Sequence, residues 1–324
     1  MTQSASAILD TLEPDGPRPR VVTRQAGDRA VLIEYGEAEF DLTLNFFALA
    51  AHTALAQNTP DGVVESAPGF RSLIVTYNPH ETSPAKLADA LHAIHAGIDP
   101  SAGMTIPSRV IDMPVAFDDE QTRAAIARYI NSIRDDAPNC EGGNNVDYIA
   151  RYNGLEGREQ VYETLLATEQ WTGFLGFFPG LPFMFPLDPR EVIFVPKYNP
   201  TRTWTAEGAV GIGGPCWAIY NVESAGGYQI IGRTIPIYDP QERNEVFRAN
   251  GMLLRAGDRV RFHRVEEAEI LHLFDEVRAD RYRYKIEEGD FDVGEYLSWL
   301  PSVEDAARAR LEQCEAAAAA TPVP

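Results

Sequence analysis

Several residue types are scarce in this sequence, and each shortage excludes a class of function. Only three cysteines occur in 324 residues. Cys140, Cys216 and Cys314 are too dispersed for a disulfide framework, and no Cys-x-x-Cys pair suggests a zinc knuckle. The six histidines do not cluster; His92 and His95 lie three apart on an expected helix, but no carboxylate or cysteine pattern completes a metal site there. Packing or surface roles therefore account for that pair, and no metal is expected. Lysine and arginine number 28 against 48 aspartates and glutamates, a net charge of −20. Phosphate binding needs clustered cations, so nucleic acid and anionic membrane are disfavoured as partners. No apolar run approaches the roughly 18 residues a membrane helix needs. Residues 1–20 contain Asp10, Glu13 and Asp15 and have no apolar core of a secretory signal. A reduced, cytoplasmic setting is expected.

What the sequence does contain is the balance of a globular protein, 44% hydrophobic and 23% charged, long enough for one large domain or two ordinary ones. After a flexible tail (1–20), residues 21–35 read as strand with a turn at Gly27-Asp28, and Asp41–Gln57 reads as a helix. Pro60-Asp61-Gly62 supplies turn chemistry, Ser72–Tyr77 a strand, and Ser83-Pro84 the cap and first position of a second helix carrying Leu87, Leu91, Ile94 and Ile98. Val110–Phe117 returns to strand. This order predicts a small α/β domain over about 21–108 with helices on one sheet. Asp119–Arg134 and Val146–Tyr152 read as helices. From Thr172 to His263 glycine and proline become dense and apolar runs short, which predicts an all-β barrel or sandwich within 109–270. A helical extension (271–324) follows, its last helix capped by Ser302 and Asp305, with a frayed Ala/Pro-rich end from Ala316.

Three glycine-rich segments bear on chemistry. Gly173–Phe183 interleaves aromatics with glycine and proline, a texture that suits a pocket wall or a buried crossover loop. Gly208–Gly214 has neither the lysine nor the following helix of a phosphate loop. Tyr220–Thr234 sets Glu223, Ser224, Gln229, Arg233 and Thr234 beside glycines, a pattern able to stabilise a carboxylate or oxyanion. Ser224 lacks the Gly-x-Ser-x-Gly context of a hydrolase nucleophile and has no histidine nearby in sequence.

The run 196–214 and the stretch Glu223–Thr234 closely resemble the carboxyltransferase region of urea carboxylase. They more distantly resemble the stand-alone family of allophanate hydrolase subunit 1, the 5-oxoprolinase B component and sporulation-kinase inhibitor. The likeness continues through Asn144–Ile149, Asn153–Leu155, Pro186–Arg190, Gly27–Ala30, Gly69–Leu73 and Phe291–Leu297, covering most of 21–300. It implies an α+β protein: a small N-terminal α/β domain, a cyclophilin-like β-barrel and a helical C-terminal extension. It also implies pairing with a homologous second half (allophanate hydrolase subunit 2-like) and service by biotin carboxylase and biotin carrier components. The implied activity is transfer of CO2 from carboxybiotin to a urea- or amide-type nitrogen by a subunit inactive alone. Biotin would arrive on the carrier, and ATP would be used by a partner. No Lys follows any of the five Met residues, so the biotinylated Met-Lys-Met segment is missing, and no ATP-binding motif is present. The segment Phe174–Phe185 instead resembles the stand-alone subunits, which keeps a 5-oxoprolinase-like amidohydrolase or a kinase-inhibitor module as alternatives. Expected catalytic residues are Glu223, Arg233 and Gln229. Expected substrate-binding residues are Tyr220, Ser224, Gly226, Gly227, Phe177, Pro179, Phe183, Asp188, Lys197, Tyr198 and Asn199. An internal Glu223–Arg233 ion pair is the bland alternative for those two side chains.

Overall fold

The computed structural model describes residues 7–100 and 103–324. They divide into two compact units, one of residues up to Pro107 joined by Asp290–Trp299, the other of Ser108–Gly289 with Leu300–Pro324.

In the first unit β1 (Ile8–Leu12), β2 (Val21–Gln25), β3 (Ala30–Tyr35), β4 (Val63–Pro68) and β5 (Ser72–Tyr77) form one antiparallel sheet of order β1-β2-β3-β5-β4. Strand alternation selects its inner face: Val31, Ile33 and Tyr35 are buried with Leu73, Val75 and Tyr77, while Ile74 between them is exposed. Against that face pack α1 (Leu42–Gln57), capped by the Asp41 carboxylate, and α2 (Pro84–Ala96), capped by Ser83. The Ser83 cap lies where the sequence places it, and Asp41, expected inside the first helix, caps it instead. The described part of the expected tail is not a tail. Ile8–Leu12 pairs with β2 because Leu9 and Leu12 have an apolar core to join. Strand β4 is not legible in sequence, since Glu65, Ser66 and Pro68 interrupt its apolar pattern at the sheet edge.

His92 lies at the surface and His95 in the core. His92 Nδ1 meets Asp10 at 2.7 Å. His95 is buried with Nδ1 2.6 Å from the Leu91 carbonyl and Nε2 2.9 Å from Tyr35 Oη. The proton therefore sits on Nδ1, and the Tyr35 hydroxyl donates to Nε2. Burial, outweighing the hydrogen bond to Leu91, lowers the His95 pKa to about 4. In the unfolded chain it lies near 6.5, so the unfolded state holds more protons between the two values. The stability this histidine permits is complete above the upper value and is lost as pH falls through the window, by roughly 3 kcal/mol in all. Protection factors of β3 and α2 amides, referred to the intrinsic exchange rate at each pH, should fall between pH 6.5 and 4.5, and His95→Gln should flatten that dependence. An unchanged slope in the variant would assign the acid sensitivity to other groups.

The second unit opens on β6 (Thr105–Phe117), whose residues from Ser108 on belong to it. There follow α3 (Glu120–Ser132), α4 (Asn145–Tyr152), α5 (Arg158–Leu166), β7 (Gln170–Leu175), β8 (Pro182–Pro186), β9 (Arg202–Thr205), β10 (Ala209–Gly213), β11 (Cys216–Ile219), β12 (Ser224–Gly226), β13 (Gln229–Thr234), β14 (Arg259–Arg264) and α6 (Glu267–Arg278). Strands β6-β14-β7-β8-β11-β10-β13 return to β6 and close a seven-stranded barrel, with β14 parallel to β6 and the other pairs antiparallel. The closing seam needs a glycine: a Cβ on Gly232 would strike the Ala116 carbonyl across it. β10 and β11 are buried at every position, so both of their faces are covered and their sequences do not alternate. Trp171, Met184, Trp217, Ile231 and Val260 lie in the core. The short β9 and β12 pair with each other outside the barrel.

The expected C-terminal extension is divided between the units. β15 (Ile286–Asp292) is followed by α7 (Val293–Trp299), and Phe291 and Tyr296 pack on Phe46 of the first unit. The last helix, α8 (Glu304–Ala319), begins after Val303 with no side-chain cap, which corrects the expectation of Ser302 and Asp305. Its end is not frayed, because alanine suits a helix interior and the Tyr148 hydroxyl donates to the Pro322 carbonyl at 3.0 Å. No helix among the described residues is long and apolar enough to cross a membrane.

Candidate functional site

A cavity of about 340 Å³ opens on the second unit. Four short segments build it. The β7–β8 turn contributes Phe177 and Leu181, and β8 contributes Phe183. The segment before β9 brings Lys197 and Thr201; β11 and its exit bring Ala218 and Tyr220; β12 and its link to β13 bring Ala225, Gly226, Gly227 and Tyr228. The walls are flat and apolar. Phe177 stands at 72% exposure with a left-handed backbone (φ 66°), an uncommon conformation for a bulky residue. Phe183 stacks on Phe174 with ring centroids 4.6 Å apart. Lys197 Nζ lies 5.3 Å from the Tyr228 ring centroid, within cation–π range. The Tyr228 N–H donates to Tyr220 Oη at 3.3 Å. Burial raises the Tyr228 phenol and pushes the Cys216 thiol, its hydrogen-bond partner, up to about 12, so both stay protonated near neutrality. Gly226 is required by its neighbour: a Cβ there would run into the Tyr220 ring and hydroxyl.

Six of the expected residues meet in this cavity: Phe177, Phe183, Lys197, Tyr220, Gly226 and Gly227. The others lie elsewhere. Gln229 is fully buried, its Oε1 accepting from Asn139 Nδ2 at 3.0 Å and its Nε2 donating to the Pro196 carbonyl at 2.8 Å. Tyr198 is buried in the same network, donating to Asn145 Oδ1 at 2.7 Å. Asn145 in turn accepts from Ile230 N and donates to the Asn139 carbonyl. These side chains brace loops against β13. Arg233 points to a different neighbourhood: Nε donates to the Glu207 carbonyl at 2.7 Å and the guanidinium stacks 4.0 Å over Phe274. Burial lowers its pKa and raises those of Glu207 and Asp119 nearby. Glu223 is exposed and makes no ion pair with Arg233, so neither a shared catalytic pair nor an internal bridge forms between them. The Ser224 hydroxyl is buried without a hydrogen-bond partner. Pro179 lends its carbonyl to Asn221 Nδ2, the Asn199 carbonyl accepts from Arg134 at 2.9 Å, and Asp188 forms a turn with Arg190, accepting its N–H at 2.9 Å.

Sequence reasoning passed over Leu181, Thr201, Ala218, Ala225 and Tyr228. Tyr228 was within reach as the aromatic directly after the Gly226-Gly227 pair. Ala218 and Thr201 carry no signal of their own, because only barrel closure brings β11 and the 196–201 segment together.

A family model described as the carboxyltransferase domain, subdomain C and D, matches residues 21–248. Urea amidolyase of Saccharomyces cerevisiae is 38% identical over 291 residues, covering 89% of this chain and 16% of the relative. The crystal structure of the Kluyveromyces lactis urea carboxylase superposes with a TM-score of 0.85 at 34% identity, over 98% of this chain and 29% of that one. The B component of 5-oxoprolinase from Bacillus subtilis is 28% identical, over 77% of this chain and 95% of its own length. The chain thus spans a small fraction of the multidomain relatives and nearly the whole of the short one.

Proposed function

This chain belongs to the carboxyltransferase family, subdomain C and D, and from that membership we propose that it is one half of a biotin-dependent carboxyltransferase of the urea carboxylase type. It would move CO2 from carboxybiotin to a urea- or amide-type nitrogen, with a homologous second half completing the reaction chamber. The observation that carries this reading is the 340 Å³ cavity, walled by aromatic rings and a glycine pair, with one lysine at its side. Likeness to the urea carboxylase structure over almost the entire chain, against three quarters for the 5-oxoprolinase component, favours it over the amidohydrolase.

The residues present suit a flat ureido ring. Gly226 and Gly227 leave backbone open where a side chain would intrude, and Phe183 and Tyr228 supply planar faces. Bound there, carboxybiotin would supply an activated carboxyl group. Phe177, Leu181 and Phe183 would exclude the water that otherwise consumes that group. The Tyr220 oxygen accepts from the Tyr228 N–H and still carries a proton of its own to donate to a ureido or carboxyl oxygen. Lys197 offers a mobile positive charge for a carboxylate. Gln229, Tyr198 and Asn145 would act from behind, keeping the Gly226–Tyr228 wall in place.

Reconstitution of the chain with its partner half and biotin components tests the proposal. Bicarbonate-dependent ADP release should be stimulated by urea, guanidine or a small amide. Release that needs 5-oxoproline and ignores bicarbonate would favour the amidohydrolase, and no stimulation by any acceptor from an intact assembly would remove the carboxylase reading.

A further inference from the structure

Beneath the cavity wall lies a cation that no carboxylate neutralises. Arg202 is 1% exposed, and among the described residues it forms no ion pair. Its contacts are neutral: Nη1 donates to the Tyr228 carbonyl at 2.6 Å, Nε and Nη2 reach Thr205 Oγ1 at 3.3 and 3.1 Å, and the guanidinium lies 4.4 Å from the Tyr198 ring centroid. Burying a charge costs much unless it is paired, so an arginine held only by neutral acceptors asks for an electrostatic reason. Two placements supply one. Tyr228, whose carbonyl it grips, and Thr201, its chain neighbour, both line the cavity. Lys197 is close to the same tyrosine, its Nζ 5.3 Å from the ring centroid. A chain of net charge −20 thus presents a cavity with a lysine in its wall, an arginine directly behind, and no acidic lining residue.

We propose that Arg202 is a positioning residue that pins the Gly227-Tyr228 wall and gives the cavity a standing preference for planar anionic ligands, such as a carboxylate attached to an amide. It touches no ligand and acts through the wall and through its field, which in a site of low dielectric extends over several ångströms. The inference rests on the cavity being the ligand site under the proposed function, but not on any transfer step. Lys197, being exposed, contributes a part that salt screens; Arg202, being enclosed, contributes a part that salt leaves.

Oxamate and its neutral isostere oxamide make the test, because they differ by one charge at almost constant shape. Binding to the full chain would be followed through the amide shifts of Gly226 and Gly227. Oxamate should bind about tenfold more tightly than oxamide, a difference of about 1.4 kcal/mol, and most of that preference should survive about 0.5 M NaCl. Arg202→Met should bring the ratio close to one in a folded protein. Arg202→Lys, which keeps the charge and loses the fork, should keep the ratio while weakening both ligands, a split that mere loosening of the barrel would not give. If Arg202→Met does not fold, the salt series on wild type and Lys197→Met decides. A ratio that persists in salt and in Lys197→Met supports the arginine, and one that vanishes in either overturns it. Equal affinity for both probes, or no shift at the glycines with either, also overturns it. Loss of carboxyl transfer with the oxamate preference intact would count against the proposed reaction alone.

Discussion

Gly226→Val should reduce acceptor-dependent ADP release by the reconstituted enzyme roughly 100-fold, the scale expected when site groups are displaced by about 1 Å. The reason is local. Any Cβ at 226 collides with the ring and hydroxyl of Tyr220, which is itself nearly buried and cannot swing into solvent. The ring must then move into the cavity and give up the hydrogen bond from Tyr228 N. The barrel should survive, since Gly226 belongs to the two-stranded β9–β12 pair and not to the closed strands. Far-ultraviolet circular dichroism and the unfolding midpoint should stay near wild type while activity collapses. Gly227→Ala is the graded control. Its Cβ would approach Thr201 Cγ2 at 3.2 Å, a contact a small shift relieves, so a loss of only a few-fold is expected. Full activity in Gly226→Val would separate this cavity from the reaction.

The largest effect on stability should come from Asp258. Its carboxylate is completely buried in the turn before β14 and receives Arg109 in a fork, Nε to Oδ1 at 3.0 Å and Nη2 to Oδ2 at 2.5 Å, together with the Arg255 N–H at 2.9 Å. Arg109 also donates to the Leu253 carbonyl at 2.7 Å. Removing one partner of such a pair leaves a desolvated charge behind, so Asp258→Leu should cost about 3–5 kcal/mol of stability in the second unit. Arg109→Met with Asp258→Leu should cost less than Asp258→Leu alone, because no orphan charge remains. Chemical denaturation of the two single variants and the double variant measures this. A double variant that loses the sum of the two singles would show that the pair is not coupled. The bidentate geometry and the backbone donors argue otherwise.

Much of this molecule is legible along the chain because its determinants are local. Asp41 and Ser83-Pro84 start helices wherever they precede an apolar 3.6-residue repeat, and the Gly/Pro-dense stretch from Thr172 onward can only form short strands. The strand at Ile8–Leu12 and the edge strand β4 are less visible, since their pairing with neighbouring strands stabilises them more than their own composition does. The candidate site was half legible for a related reason. Gly226, Gly227, Tyr220 and Phe183 lie in segments whose glycine content already demands close approach, whereas Arg202 reads as one more arginine in a polar run.

Gln229 and Arg233 illustrate the division most clearly. On a regular strand residues four apart share a face, so the two side chains, grouped in the sequence by the glycines beside them, would look the same way. In the barrel, β13 carries an irregularity opposite Val210 and Gly211: Ile230 pairs with Gly211 and Gly232 with Val210, leaving Ile231 as an extra residue. Alternation breaks there. Gln229 turns to Asn139, ninety positions away in sequence, and Arg233 to Glu207 and Phe274. Family membership, the starts of the first two helices and the glycine-lined wall were thus determined by the order of residues alone. Which polar side chains look into the cavity and which seal the interior was decided only when the strands closed on distant partners, because the pairing register is a property of two strands and is written in neither one.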